Sequence, residues 1–169
     1  MDLFKKLQKY NYPEKSGLDY KNEFTLLVAI LLSAQAKDAF INTQTKEFFQ
    51  KAPDAENMLK LGLDGVCFYI KKIGLWRNKA RNIISLSKKV VEFKTILKEE
   101  KEKEWYSEFL DKEGSKLYGP VLSKEGLPSF VAGLMQLAGI GRKSANVFLN
   151  VVYKAPTFGV DTHVARVSK

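Results

Sequence analysis

Two ionisable residues near the end of the chain, Lys143 and Asp161, could carry out chemistry together. A neutral lysine amine attacks an electrophilic carbon, and the Schiff base that it forms can act as an electron sink for elimination. Asp161 follows Pro156 and Gly159, which predicts the N-cap of a helix whose amides keep the carboxylate ionised. Such a carboxylate could stabilise a developing positive charge or help to deprotonate the lysine. A plain N-cap is the other interpretation of Asp161, and the two are compatible.

The segment before Lys143 predicts two helices joined by a tight turn. The first helix, from Ser129, has one apolar side formed by Phe130, Val131, Leu134, Met135 and Leu137. The sequence Ala-Gly-Ile-Gly precedes the second helix, and its glycines suit a positive φ or a close backbone approach. The first amides of the second helix lack intrahelical partners, and with Arg142 they form a site for an anion such as phosphate. An ordinary corner between helices, with glycine needed only for packing, is the alternative.

The scarcity of cysteine and histidine excludes several kinds of site. The sequence has one cysteine, Cys67, and one histidine, His163. One cysteine makes neither an internal disulfide nor a metal centre built from several cysteines, and a three-histidine zinc site is also excluded. We interpret Cys67 as a core residue and His163 as a structural residue at a helix start. The longest apolar run, Leu26–Leu32, is far shorter than the roughly 20 residues that a bilayer requires, which predicts a cytoplasmic protein without a membrane span.

The positive charge is concentrated in the segments that show apolar periodicity. The chain carries 28 lysines and arginines against 19 aspartates and glutamates, a net charge of +9. Residues 1–93 carry +6, residues 94–125 carry −1 and residues 126–169 carry +4. A positive folded body suits a polyanionic partner, because each phosphate that it neutralises releases counterions. A basic protein that binds no nucleic acid is the alternative.

Apolar spacing predicts an all-α fold, a helical bundle, because no strand-like alternation of any length is present. Asn22 precedes a helix that is apolar on every face and should form the centre of the bundle. Asp38 and Asp54 are predicted to cap the next two helices, and Gly62 to end the second of them. Residues 95–125 mix both signs of charge densely, which predicts either an exposed helical insertion or a mobile arm.

Three blocks of sequence carry a resemblance: Phe24–Asp38 (FTLLVAILLSAQAKD), Ile70–Ile83 (IKKIGLWRNKARNI) and Leu137–Val167. Together they resemble the endonuclease III family of DNA glycosylases, with its helix-hairpin-helix and its loop rich in glycine and proline that ends in an essential aspartate. The resemblance implies a six-helix barrel with the helix-hairpin-helix at residues 129–153, and a function in base excision repair. Such enzymes remove an oxidised pyrimidine and nick the strand at the resulting abasic site.

The resemblance also implies roles for single residues. The family's catalytic lysine corresponds to Lys143 and its essential aspartate to Asp161, which implies a glycosylase with abasic-site lyase activity through a Schiff base. The glutamine that corresponds to Gln35 fills the gap left by the flipped nucleotide. The other implied DNA contacts lie in two turns and comprise Gly139, Ile140, Gly141, Arg142, Ser144, Lys72, Gly74, Arg77 and Lys79. The implied partner is double-stranded DNA with a damaged base or an abasic site, bound by a monomer.

The sequence departs from the family in ways that bear on its domains. The hairpin has Ala138 where the family usually has proline. Residues 1–20 contain the N-terminal helix of a second domain, residues 21–153 the helical domain with its charged insertion at about 95–125, and residues 154–169 the loop and the start of the aspartate helix. The family continues with further helices and a 4Fe-4S cluster on four cysteines, so we expect this chain to lack the cofactor and, if residue 169 is its native end, to have reduced or lost activity. A non-catalytic DNA-binding module and an inert gene remnant are the alternatives.

Overall fold

The computed structural model describes residues 17–157, which form seven α-helices and, in place of strands, a single bridge between Leu122 and Pro128. The helices are α1 (Glu23–Ser33), α2 (Asp38–Lys51), α3 (Ala55–Ile70), α4 (Trp76–Lys98), α5 (Glu102–Ser107), α6 (Val131–Leu134) and α7 (Arg142–Tyr153). The all-α prediction is confirmed. No helix in this part of the chain has both the length and the apolar character that crossing a membrane demands. The predicted N-terminal helix, Asp161 and His163 lie outside the described residues.

The central helix is α1, because apolar residues surround its whole circumference. Every side chain from Phe24 to Leu32 is buried, and α1 contacts α2, α4 and α7. Asn22 begins the helix with a capping box. Its side chain accepts a hydrogen bond from the Thr25 amide at 2.8 Å, while the Asn22 amide donates to the Thr25 hydroxyl at 3.0 Å. The predicted centre of the bundle is therefore fixed at its start by its own sequence.

Two polar residues predicted as helix caps behave differently. Asp54 is the N-cap of α3, where its carboxylate accepts from the Asn57 amide at 2.8 Å, and Gly62 breaks the helical path of α3 with φ 72° and ψ 174°. Asp38 is not a cap, because α2 begins one residue earlier than predicted, with Lys37 at the N-cap. Asp38 lies instead in the first turn of α2 and is exposed.

The long helix α4 packs along α3 through a regular apolar stripe. Its buried members recur at intervals of three and four residues and are Lys79, Ile83, Leu86, Val90 and Phe93. The first member of this stripe is a lysine, which the apolar pattern alone did not reveal. The same spacing places Arg77, Arg81 and Lys88 on the outside.

The charged segment packs onto the body through an aromatic cluster, so the mobile-arm interpretation is wrong. The ring of Trp105 in α5 lies 4.7 Å from Phe93, 5.2 Å from Phe109 and 5.6 Å from Phe130, measured between ring centroids. Phe93 belongs to α4, and Phe130 directly precedes α6. The dense charges lie on the outer side, while four aromatic rings attach the segment to two elements of the body.

The predicted hairpin of two helices is present, but its first helix is short. α6 contains four residues, and Met135, predicted on its apolar side, is 42% exposed because the chain leaves the helix there. Gly139 adopts a φ of +80°, and a Cβ at this position would lie 2.8 Å from Asn82 Nδ2 and 2.9 Å from Leu31 Cδ1. Glycine is thus required twice, by the backbone conformation and by close packing on α1 and α4.

Candidate active site

A cavity of about 500 Å³ opens between the end of α1 and the start of α7. Its walls comprise Gly17, Leu18, Ile30, Ser33, Ala34, Gln35, Asp38, Lys143, Ser144, Val147 and Val151. Lys143, Val147 and Val151 follow one another at intervals of four residues and therefore share one face of α7. The cavity is thus apolar along Val147 and Val151 of α7, and its polar lining residues include Lys143, Gln35 and Asp38. Its volume suits a ligand of nucleoside size, since ligand pockets typically measure about 300–1,000 Å³.

The start of α7 is electropositive. Gly141 is the N-cap, and the first turn contains Arg142 and Lys143 but no acidic residue. The first amides of a helix have no intrahelical acceptors, and the positive end of the helix dipole adds to the two cations. Several positive groups are therefore close together at this end of α7, and a bound anion would reduce the repulsion between them.

One carboxylate already lies against this end of α7. Arg142 Nη1 is 3.0 Å from Glu113 Oε1, which belongs to the charged segment. The two side chains are 50% and 85% exposed, so the ion pair contributes little to stability. Glu113 therefore pairs with the same guanidinium that a phosphate would contact, but this exposed ion pair is weak.

The turn between α3 and α4 forms a second basic surface. Lys72, Gly74 and Arg77 are exposed, as a contact with DNA requires. The Arg77 guanidinium lies 4.2 Å from the centroid of the Trp76 ring, which holds it at the surface. A Cβ on Gly74 would meet no heavy atom within 4 Å, so nothing inside the fold demands glycine at this position.

Two predicted DNA contacts require correction. Lys79 is 7% exposed, and its amine donates to the carbonyls of Leu32 and Ala34, each at 2.9 Å. Burial lowers the pKa of Lys79, because the ammonium loses its water. Ile140 is 5% exposed, and its amide donates to the Leu137 carbonyl at 3.1 Å, which closes the hairpin turn. Neither residue presents its polar group to the outside.

Gln35 and an unpredicted residue, Leu75, share an unusual backbone conformation. Their φ angles are 61° and 58°, in the left-handed region that residues with a side chain rarely adopt. Both side chains are exposed, and Leu75 is a large apolar residue with 67% of its surface accessible. A strained backbone that carries an exposed leucine is a sign of function. The Gly-Leu-Trp-Arg sequence gave a hint of it, since an apolar residue stands there between basic ones.

The sequence also gave no chemical role to Asp38, which lies on the cavity with Lys143 and Gln35. An ionised carboxylate accepts hydrogen bonds and donates none, so Asp38 suits a ligand that offers N–H donors.

Beyond α7 the chain turns back along the helix. The Asn150 side chain donates to the Ala155 carbonyl at 3.0 Å, and the Thr157 hydroxyl donates to the Asn146 carbonyl at 2.7 Å. Thr157 is therefore anchored one helical turn from Lys143. Asp161, the predicted catalytic acid, is four residues further along the chain and outside the described residues.

The residues of this chain do not fit the iron–sulfur cluster that the resemblance implies. Such clusters are held by four cysteine thiolates, whereas the sequence contains only Cys67, which is partly buried within α3. Between residues 17 and 157, no group of three histidine, cysteine or acidic side chains is arranged to hold a metal ion.

Comparison with known proteins gives one consistent result. A family model described as HhH-GPD superfamily base excision DNA repair protein matches residues 28–169. Endonuclease III of Rickettsia felis (strain ATCC VR-1525 / URRWXCal2) is 40% identical over 167 residues, which are 99% of this chain and 65% of that protein. Endonuclease III of Escherichia coli (strain K12) is 35% identical over 167 residues, again 99% of this chain and 65% of the relative. The chain therefore spans just under two thirds of the length of these relatives.

Solved structures agree with the sequence relatives. The chain matches a structure described as a trapped endonuclease III-DNA covalent intermediate, estranged-adenine complex, with a TM-score of 0.69 and 33% identity over 98% of this chain and 64% of that one. A structure described as a non-covalent endonuclease III-DNA complex matches with a TM-score of 0.67, 32% identity and the same coverage.

Proposed function

The chain belongs to the HhH-GPD superfamily of base excision DNA repair proteins, and from that premise we propose that it is a DNA glycosylase with abasic-site lyase activity on oxidised pyrimidines. The observation that carries this proposal is the position of Lys143. Its side chain lies in the first turn of α7 and on the wall of a cavity of about 500 Å³, two residues after Gly141, where a Cβ would meet no heavy atom within 4 Å. One matched structure is described as a trapped covalent intermediate of endonuclease III with DNA, which supports the same chemistry.

The start of α7 and the turn before α4 would hold the phosphate backbone. At α7 the helix amides, the dipole and Arg142 attract one phosphate. At the other turn, Lys72 and Arg77 are exposed beside Gly74. A Cβ on either Gly74 or Gly141 would face open space, so both turns let a strand approach the backbone closely. These contacts are made to phosphates and not to base edges, so they do not depend on the base sequence. Such binding suits a repair enzyme that must examine DNA of any sequence.

Once a nucleotide is flipped out, its base would enter the cavity and its sugar would face Lys143. The amine bonds to C1′ as the glycosidic bond breaks, and the base leaves with the electron pair of that bond. The departing base takes up a proton and the lysine nitrogen gives one up. The sugar ring then opens as the C1′–O4′ bond breaks and O4′ is protonated, which leaves a Schiff base between C1′ and the lysine nitrogen. This Schiff base withdraws electrons, so a C2′ proton is lost and the 3′-phosphate departs with the electron pair of the C3′–O3′ bond. Asp38 and Ser33 on the cavity wall provide polar partners for the edge of the base.

Asp161 remains our candidate for the carboxylate that assists Lys143. Thr157 is anchored at Asn146, one helical turn from Lys143. Four further residues span up to about 13 Å of extended chain, which is enough to bring Asp161 back to the start of α7. We expect Asp161→Asn to lower turnover while DNA affinity is kept or increased, because the change removes an anion from a surface that faces phosphates.

Gln35 and Leu75 would fill the space that the flipped nucleotide leaves in the duplex. An amide can hydrogen-bond to the orphaned base, and an exposed apolar side chain can wedge between bases. Glu100 and Lys154 also have left-handed backbones, so what sets Leu75 apart is a large apolar side chain that is 67% exposed. We propose double-stranded DNA with a damaged base or an abasic site as the partner, bound by a monomer. We expect the protein in the cytoplasm, associated with the nucleoid if its source is a bacterium. The divisions at residues 20 and 153 remain our proposal for its domains.

Strand nicking tests the proposal directly. A duplex with one abasic site is incubated with the wild-type chain, with Lys143→Gln and with Lys154→Gln, which loses the same charge at the other end of α7. We expect nicking by the wild type and by Lys154→Gln, and a loss of at least about a hundredfold in Lys143→Gln. Equal nicking by all three would refute the role of Lys143, and absence of nicking by the wild type would refute lyase activity of this chain.

A further inference from the structure

The buried lysine of α4 has no part in the chemistry proposed above. Lys79 is 7% exposed, and its amine lies 2.9 Å from the Leu32 carbonyl and 2.9 Å from the Ala34 carbonyl. Leu32 lies near the end of α1, and Ala34 is its C-cap. Removing an ammonium from water is unfavourable, so a lysine is kept in such a place only where its hydrogen bonds compensate.

Lys79 supplies what the end of α1 lacks. The last carbonyls of a helix have no intrahelical donors, and the last turn of α1 contains no basic residue. The Ser33 hydroxyl donates to the Ile30 carbonyl at 2.9 Å, and the Ala36 amide donates to the Ser33 carbonyl at 2.9 Å. The Lys79 amine bonds the carbonyls of Leu32 and Ala34, of which the latter directly precedes Gln35. It therefore holds the peptide from which the left-handed turn of Gln35 begins.

The backbone of the same residue holds the other left-handed turn. The Leu75 carbonyl accepts from the Lys79 amide at 3.1 Å, and it shares this bond with the Asn78 amide, also at 3.1 Å. Leu75 is the N-cap of α4, with φ 58° and ψ 27°. One residue thus bonds to the turn of Gln35 through its amine and to the turn of Leu75 through its amide. The two turns come from different parts of the sequence, 40 positions apart.

We infer that Lys79 is a positioning residue, which does not contact DNA but fixes the turns of Gln35 and Leu75 relative to each other so that both side chains enter the duplex together. This inference rests on the proposed function, because it assumes that the two side chains occupy the gap left by a flipped nucleotide. A small change in the placement of such groups is costly, since an error of about 1 Å can reduce a rate about a hundredfold.

Binding to a duplex that contains tetrahydrofuran, an abasic-site analogue without the aldehyde, tests the inference without requiring catalysis. The base opposite the analogue is 2-aminopurine, whose fluorescence changes when its neighbours are displaced. The variants are Lys79→Met, which removes the donors but keeps the length, Lys79→Arg, which keeps donors, and Lys98→Met as a control of equal charge at the far end of α4. The affinity of each variant for an intact duplex is measured in parallel with its affinity for the duplex that contains the analogue.

For Lys79→Met we expect a loss of about tenfold in the preference for the analogue over the intact duplex, and a loss of the 2-aminopurine response. Its affinity for the intact duplex and the salt dependence of that affinity should match the wild type, because no phosphate contact is removed. Lys79→Arg should recover most of the preference, and Lys98→Met should resemble the wild type. A general loss of stability would not give this pattern, since it would lower both affinities together.

The outcomes separate the two proposals. If the wild type does not prefer the analogue, the proposed function fails. If the wild type does and a folded Lys79→Met prefers it equally, the role of Lys79 is overturned. If Lys79→Met does not fold, the wild type is acetylated with and without DNA, and mass spectrometry identifies the modified lysines. This experiment decides whether Lys79 stays buried or contacts DNA. Lys79 should be unreactive with or without DNA, whereas Lys72 should react and be protected by DNA; DNA-dependent protection of a reactive Lys79 would contradict the inference.

Discussion

Replacement of Gly141 by alanine should separate DNA binding from folding. Gly141 is the N-cap of α7, with φ −92° and ψ 176°, a conformation open to any residue. A Cβ there would meet no heavy atom within 4 Å. The fold therefore does not need glycine at this position, and the added methyl group would stand in the open space at the start of α7, where we propose that a phosphate binds.

The expected magnitudes follow from this geometry. Alanine restricts the unfolded chain, which stabilises by about 0.4–1 kcal/mol, but it is a poorer N-cap than glycine by a similar amount, so the free energy of unfolding should change by less than about 0.5 kcal/mol. A phosphate pushed away from the first amides of α7 loses at least one charge-assisted hydrogen bond, worth about 1.5–3 kcal/mol. The Kd for DNA should therefore rise by about ten- to a hundredfold.

Gly139→Ala is the matched control, two residues away, and should behave in the opposite way. It forces a left-handed backbone, with φ +80°, on a residue with a side chain, and it places a Cβ 2.8 Å from Asn82 Nδ2. The backbone costs about 1–2 kcal/mol and the repacking about 1–3 kcal/mol. Thermal melts and fluorescence anisotropy with a labelled duplex, at several salt concentrations, distinguish the two variants. Wild-type affinity in a folded Gly141→Ala would refute phosphate binding at the start of α7.

Three further predictions concern other parts of the fold. Glu113→Gln should tighten DNA binding about two- to threefold at low salt and less at high salt, because it frees the Arg142 guanidinium; anisotropy titrations check this, and weaker binding would contradict it. Phe130→Ala should destabilise by about 3–5 kcal/mol, because this fully buried ring joins the charged segment to the body; a smaller change in urea unfolding would show that the segment is held otherwise. Burial raises the pKa of the Glu125 carboxyl above its ordinary 4.5. The free energy of unfolding should therefore fall as the pH rises from 4.5 through the raised pKa, because the carboxyl must then ionise in a buried place. Glu125→Gln should therefore raise the Tm at pH 7 and have no such effect well below pH 4.5, and a Tm difference independent of pH would contradict this.

The parts of the fold that the sequence predicted well are those fixed by local rules. The capping box at Asn22 and the all-round apolar composition of α1 identify the central helix without knowledge of its neighbours. The glycine turn before α7 identifies the hairpin for the same reason, because a positive φ at Gly139 is a property of the backbone itself. Each of these features is decided within a few residues of chain.

The features that were missed depend on contacts between distant segments. Lys79 occupies the apolar stripe of α4, four residues before Ile83, and this spacing was the available signal that its side chain is buried. What compensates for its burial, the end of α1, lies more than 40 residues away in the sequence. The cluster around Trp105 likewise joins α5 to the rings of Phe93 and Phe130, so charge density alone could not decide between a helical insertion and a mobile arm.

The most direct test of the central claim is to trap the covalent intermediate and locate it. The wild-type chain is mixed with a duplex that contains one abasic site, sodium borohydride is added, and the cross-linked peptide is identified by mass spectrometry. We predict a single adduct on the peptide that contains Lys143, and its loss in Lys143→Gln. An adduct on another amine, or one that persists in Lys143→Gln, would show that the start of α7 is not the catalytic centre.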